Sequence, residues 1–191
     1  MKKTISILAG ALTGLLLTGL AASAAPIATT TYGGHTYDLY AAPGLSWNDA
    51  EAAAVADGGY LAVLTDAAET SAVYGALIGT GFFQPQNSQA TEAWLGGYTA
   101  DRSGSTQNPL NWAWVTGEAW NAFDAANFGA GEPNGDSSGL AINRFGNSTF
   151  NDDTYVGGYI VERNSVPDGA TTLALLGLSL SALACFRRKQ S

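Results

Sequence analysis

Two hydrophobic ends enclosing a cysteine-free stretch constrain this 191-residue chain more than any other feature. Met1-Lys2-Lys3 supplies a positive start, residues 5–20 are almost wholly apolar or small, and Ala22-Ser23-Ala24 has the small-x-small pattern of a signal-peptidase site. That apolar run is short for a membrane span and ends in a cleavage-type site. The reading is therefore a removed signal peptide over residues 1–24, with a first transmembrane helix as the alternative. At the other end Val166-Pro167-Asp168-Gly169 precedes an apolar stretch up to Phe186 and then Arg187-Arg188-Lys189. Roughly 17 apolar residues are close to the minimum that spans a bilayer, and the basic cluster would keep the C-terminus cytoplasmic. Residues 25–165 remain, about 140 positions, a normal size for one domain.

The sole cysteine, Cys185, lies in the C-terminal apolar stretch. The exported domain has no disulfide although its compartment would permit one. Its core must come from aromatic and aliphatic residues, with or without a bound ion. Cysteine chemistry is excluded for the domain, and a single histidine, His35, argues against a His-based triad or zinc site. The chain carries a net charge of -8, and Arg102, Arg144 and Arg163 are the only basic residues between positions 25 and 165. Such a surface repels nucleic-acid phosphates and anionic membranes and suits hydrated sugars and cations. For the scattered acids, solubility alone is a sufficient explanation.

The pattern of the folded segment predicts an α+β domain. Residues 31–40 alternate around Gly33-Gly34 as a hairpin. Ser46-Trp47-Asn48-Asp49 fits a capping box opening a helix that runs to Ala56 and stops at Asp57-Gly58-Gly59. Residues 60–64 read as a strand. Asp66 and Glu69 open a second helix whose Val73, Tyr74, Leu77 and Ile78 form one apolar face and which Gly79 and Gly81 end. Beyond it the chain is rich in Gly, Asn and Ser, with strand-like islands at 93–98, 112–115, 140–143 and 158–162. A long, weakly structured stretch separates the second island from the third. Loops of that length in compact domains carry a function or are pinned by a ligand.

Taken in order, Ser46-Trp47-Asn48-Asp49-Ala50, Tyr60-Leu61-Ala62-Val63-Leu64, Ala93-Trp94-Leu95-Gly96-Gly97, Trp112-x-Trp114-x-x-Gly117, Asn127-Phe128 with Glu132-Pro133-Asn134, Phe150-Asn151-Asp152 and Gly158-Tyr159-Ile160-Val161-Glu162 resemble the landmarks of the C-type lectin-like domain. The resemblance spans residues 31–164 and implies that fold: two helices, small antiparallel sheets and a long loop region. The family's usual disulfides are missing, and Phe150 stands where the family has tryptophan. The resemblance also implies a cis bond before Pro133, which would turn Glu132 and Asn134 to one side.

Calcium is a hard cation that takes six to eight oxygen ligands. If Glu132 and Asn134 converge with Asn151 and Asp152, they offer two carboxylates and two amide oxygens around one point. The same four residues are the candidates for binding vicinal sugar hydroxyls, and Glu-Pro-Asn resembles the mannose-type version of the motif. The family places a further acid soon after it; here only Asp136 is charged, and it sits early. A turn rich in Asn, Gly and Asp that binds nothing is the plain alternative. Trp47, Trp94, Trp112 and Trp114 read as core, Trp120 and Phe123 as candidates for an exposed sugar-stacking face or further core, and Asp153 as a supporting or solvated acid.

The tail resembles the PEP-CTERM sorting signals in their Val-Pro-Asp-Gly variant. This implies export through signal peptidase, recognition by an exosortase, transient inner-membrane anchoring, and delivery to the cell surface, outer membrane or extracellular polymer matrix. A permanent single-span anchor is the alternative. The resulting expectation is a calcium-dependent carbohydrate-binding surface protein, not an enzyme, whose partner is a polysaccharide or other glycan. Its rival is an interaction or structural module of the same fold without sugar binding. A hydrolase using paired carboxylates is a third class, but no acid stands where the sequence would raise its pKa.

Overall fold

The computed structural model describes residues 25–78, 91–100 and 106–164. The signal-like segment 1–24, Gly79, Gly81, Arg102 and the tail 166–191 lie outside the described residues. Among those described, no helix is long and apolar enough to cross a membrane.

Local sequence explains most elements. Gly33 and Gly34, at φ of 60° and 89°, make the two-residue turn between β1 (Ala28–Tyr32) and β2 (His35–Ala41), a conformation that side chains with a Cβ resist. Ser46 caps α1 (Trp47–Ala56) by accepting the Asp49 N–H at 3.2 Å. Asp66 caps α2 (Ala67–Leu77) through the N–H groups of Ala68 and Glu69, both at 2.8 Å. Between the helices, β3 covers only Tyr60–Leu61. The remaining expected strand residues, 62–64, fall outside it, although the Ala62 N–H donates to the Ile160 carbonyl and the Val63 N–H to the Glu162 carboxylate.

The later strands are β4 (Ala93–Thr99), β5 (Trp112–Trp114), β6 (Gly139–Ile142), β7 (Phe150–Asp152) and β8 (Gly158–Asn164). They join the first three in one sheet of order β1-β2-β8-β4-β6-β7, with β3 on β8 and β5 on β4. Each half is antiparallel, as expected. A short parallel contact, Ala93 against Gly158 and Trp94 against Tyr159, merges the halves into one mixed sheet. A third helix, α3 (Ala122–Ala126), forms inside the stretch read as weakly structured. Asn121 accepts the Phe123 and Asp124 N–H groups while Asp124 accepts the Asn121 N–H at 2.7 Å. This is a reciprocal capping box built from Asn and Asp in place of Ser or Thr with Glu or Gln.

The sheet packs on both faces. One face carries an aromatic cluster in which the Trp114 ring meets Phe150 edge-on at 6.1 Å and Trp120 at 5.0 Å. Phe123 and Phe128 also meet Phe150 edge-on. Trp120 and Phe123 are therefore half-buried members of this core and not an exposed sugar-stacking face. Trp120 further donates its indole N–H to the Pro109 carbonyl at 2.8 Å. Phe150, at the centre of these contacts, is fully buried. On the other face Trp47 and Trp94 pack with Tyr40, Ala141, Val156 and Tyr159. Their indole N–H groups donate to the carbonyls of Leu95 and Leu45. His35, at the start of β2, places Nδ1 2.7 Å from the Glu162 carboxylate.

A buried polar knot ties β4 to β7. The Asn151 side-chain amide donates to Glu92 at 3.0 Å and to Asp153 at 3.3 Å. Arg144, from the β6–β7 loop, reaches Glu92 at 3.4 Å and Asp153 at 3.5 Å. Burial, reinforced by the neighbouring Asp153 carboxylate, pushes the Glu92 carboxyl up to about 8, while Asn151 and Arg144 pull the other way.

Two predictions follow from this packing. Phe150→Ala should destabilise the fold by about 3–5 kcal/mol, the usual cost of emptying a phenyl-sized core position, whereas Tyr155→Ala, at an exposed ring, should cost far less in the same urea titration. Glu92 holds its proton in the folded state after the unfolded chain has released it, so stability should fall as pH rises from about 4.5 to about 8. In EDTA-containing buffer the denaturation midpoint should be higher at pH 5 than at pH 8. Glu92→Gln should narrow that gap, and an unchanged gap would rule out Glu92 as its source.

Candidate functional site

The pleat of β7 sends successive side chains to opposite faces of the sheet. Phe150 and Asp152 share the face of the aromatic cluster, and Asn151 takes the other. The neighbours Asn151 and Asp152, expected to converge with the Glu132-Pro133-Asn134 turn, are separated by this alternation. Asp152 reaches the turn. Asn151 belongs to the knot with Glu92, Asp153 and Arg144.

Asp152 is fully buried and organises the loop before β6. Its carboxylate accepts the backbone N–H groups of Asn134 and Gly135, both at 2.9 Å, and of Ser137 at 3.3 Å. Three such donors explain why a carboxylate is tolerated in this position. The Glu132–Pro133 peptide bond is cis, in keeping with the expectation. The Asn134 N–H is shared between Asp152 and the Glu132 carboxylate, each at 2.9 Å, so the two acids face one another across a single donor. Burial, the adjoining Asp152 carboxyl and then the more distant Asp136 push the Glu132 carboxyl up to about 7, against the pull of the Asn134 N–H.

Asn134 is exposed, and its side-chain oxygen accepts the Asp136 N–H at 3.0 Å. Asp136 is therefore part of the turn and is itself an exposed residue. Gln107, from the stretch before β5, donates its side-chain amide to the Asn134 carbonyl at 2.8 Å. Nothing in its sequence context singled out Gln107. Glu92 and Arg144 also went unmarked, because their meeting depends on the β4–β6–β7 register. Asp153 is buried, not solvated, and meets the Asn151 amide and Arg144.

The turn thus gathers Glu132, Asn134 and Asp152, with Asp136 beside them and Asn151 on the far side of the strand. Among the described residues no three His, Cys, Asp or Glu side chains form a metal-holding group. Glu132, whose carboxyl pKa is raised first by burial and then by Asp152, and Asp152 nevertheless bring two carboxyl groups to one turn, the oxygen donors a hard divalent cation takes. On the opposite face the Asn151 side-chain oxygen is buried without a hydrogen-bond partner.

Residues 165–189 match the family model of the VPDSG-CTERM motif. No curated protein sequence matches the chain. Solved structures similar to it include the cow C-type carbohydrate-recognition domain of CD23, determined in the presence of GlcNAc2Man3 oligosaccharide, at 16% identity and a TM-score of 0.54, covering 76% of this chain and 99% of that one. The C-type lectin CEL-I from Cucumaria echinata is similar at 16% identity and a TM-score of 0.54, over 72% and 95% of the two chains. The herring type II antifreeze protein matches at 19% identity and a TM-score of 0.51, over 73% and 98%. At such identities the likeness concerns the fold, and that fold accommodates both sugar-binding and other proteins. The chain has a C-type lectin-like fold and carries a VPDSG-CTERM sorting motif at its C-terminus.

Proposed function

We propose that this protein is an exported, calcium-dependent carbohydrate-binding module that engages a polysaccharide through the loop around Pro133. The observation that carries this reading is the Glu132–Asp152 pair, two carboxyl groups sharing one backbone donor at an exposed turn. A calcium ion held by Glu132, the Asn134 side-chain oxygen and Asp152 would relieve their repulsion. Asp136 stands close enough to add to the field, since its charge already raises the Glu132 pKa. When bound, the ion would supply coordination positions for vicinal sugar hydroxyls. The chain's own part is to orient the acceptors: Asp152 pins the loop through three N–H groups, and Gln107 braces the Asn134 carbonyl. With Asn151 turned to the other face, water and the sugar must complete the six to eight oxygens, which places affinity in the millimolar range of extracellular calcium modules, about 10⁻⁴–10⁻³ M.

A second reading, an interaction module without sugar binding, has a specific observation in its favour. Both oxygens of Asp152 are already engaged by backbone N–H groups, so the loop is organised without an ion. The similarity to a calcium-independent type II antifreeze protein, at a TM-score of 0.53 and 18% identity, is consistent with the fold standing without the metal.

The sorting motif marks the chain for export. For its processing we propose removal of the tail by an exosortase and retention at the outer surface or in the surrounding polymer matrix.

Titration of the full-length protein in mild detergent should show calcium binding at millimolar concentration, and glycan-array binding should vanish with chelator. Glu132→Gln should weaken calcium binding at least tenfold while the circular-dichroism spectrum stays unchanged. Absence of calcium heat, or glycan binding indifferent to chelator, would favour the interaction-module reading. Mass spectrometry of surface-extracted protein should find a C-terminus lacking Phe186; its retention would indicate a permanent anchor.

A further inference from the structure

On the face of the sheet that Asn151 occupies, a cavity of about 220 Å³ opens between the start of α1, the loop before β6 and the segment after β7. Ser137 links it to the proposed site, because its N–H is one of the three that hold Asp152. The indoles of Trp47 and Trp94, largely buried, form the apolar wall. Asn48, Ser138 and Thr154 stand around the opening, all three exposed. Among the described residues their side chains hold no intramolecular hydrogen bond, so their donors and acceptors are unspent.

Charge decides what class of ligand this lining suits. The only acidic or basic side chain in the cavity wall is that of Asp153, and Arg144 at 3.5 Å, the Asn151 amide and the Thr154 N–H already engage it from within the protein. The cavity therefore presents neutral hydroxyl and amide groups against indole. The larger cavity beside β2, of about 270 Å³, differs sharply: Asp66, Glu69, Glu118 and Glu162 line it against His35 alone. Neutral donors and acceptors beside an apolar wall match a polyhydroxylated, uncharged ligand. A volume below the roughly 300 Å³ where drug-sized sites begin leaves room for about one sugar ring.

We propose that this cavity is a metal-independent subsite for a second, neutral sugar residue of the same glycan chain that the Glu132–Asp152 loop engages. The proposal rests on the carbohydrate reading of that loop. The subsite makes the protein a reader of at least two linked sugars, and Asn48, Ser138 and Thr154 set the preference for chain length.

The test compares mannose, mannobiose and mannotriose by calorimetry on the full-length protein with calcium, then with chelator. The native protein should bind mannobiose about tenfold more tightly than mannose. Ser138→Trp, which fills the cavity from an exposed position, should bring that ratio close to one without changing mannose affinity, and Asn48→Ala with Thr154→Ala should lower it with less steric change. A native ratio near one, or a ratio that Ser138→Trp leaves intact, overturns the subsite while the loop assignment stands. Chelator-resistant mannobiose binding that Ser138→Trp abolishes supports the subsite and overturns the calcium reading. No binding of any of the three sugars overturns both.

Discussion

The pleat of β7 governs how this domain is put together around its candidate site. Three consecutive residues serve three environments because alternate side chains of a strand point to opposite faces. Phe150 locks into the aromatic cluster, Asn151 enters the knot with Glu92 and Asp153, and Asp152 captures the loop after Pro133. A one-residue slip would place Asn151 in the aromatic core and Phe150 among carboxylates, so the register is strongly specified. With no disulfide available to the segment, that registration and the stacked rings do the work that cross-links do in other small exported domains.

Electrostatics is arranged around this strand in two unlike ways. Asp152 is buried yet satisfied by three backbone donors, the cheapest manner of keeping a carboxylate inside a protein. Glu92 is buried against a second acid, with Arg144 and Asn151 as partial compensation, and is left with a raised pKa. Glu132 lies between these cases, at an exposed turn but facing Asp152. The proposed ion and the expected pH dependence of the fold both follow from where these three carboxyls lie relative to donors.

Much of the architecture was legible because it depends on local rules. The caps at Ser46 and Asp66, the Gly33-Gly34 turn and the Glu132-Pro133-Asn134 turn each announce themselves within a few residues. The third helix escaped because its box uses Asn121 and Asp124, a weaker pattern than Ser or Thr with Glu. Trp120 and Phe123 were read as possible outward rings because an Asn- and Gly-rich context resembles surface, yet the rings of Trp114, Phe128 and Phe150 gather them inward.

By itself the sequence determined the α+β class, the order of the first two helices and most of the strands, and the residue types available for a cation or a sugar. These follow from periodicity, capping and hydrophobic length, all short-range properties of the chain. Only the tertiary structure decided which of those residues meet. Adjacency along a strand places side chains apart, so Asn151 and Asp152 part company. Register between strands brings Glu92 to Asn151 across a separation of 59 positions, and the fold of the loop brings Asp152 to Asn134 across 18. No short-range rule encodes such pairings, because they arise from packing two sheet faces at once.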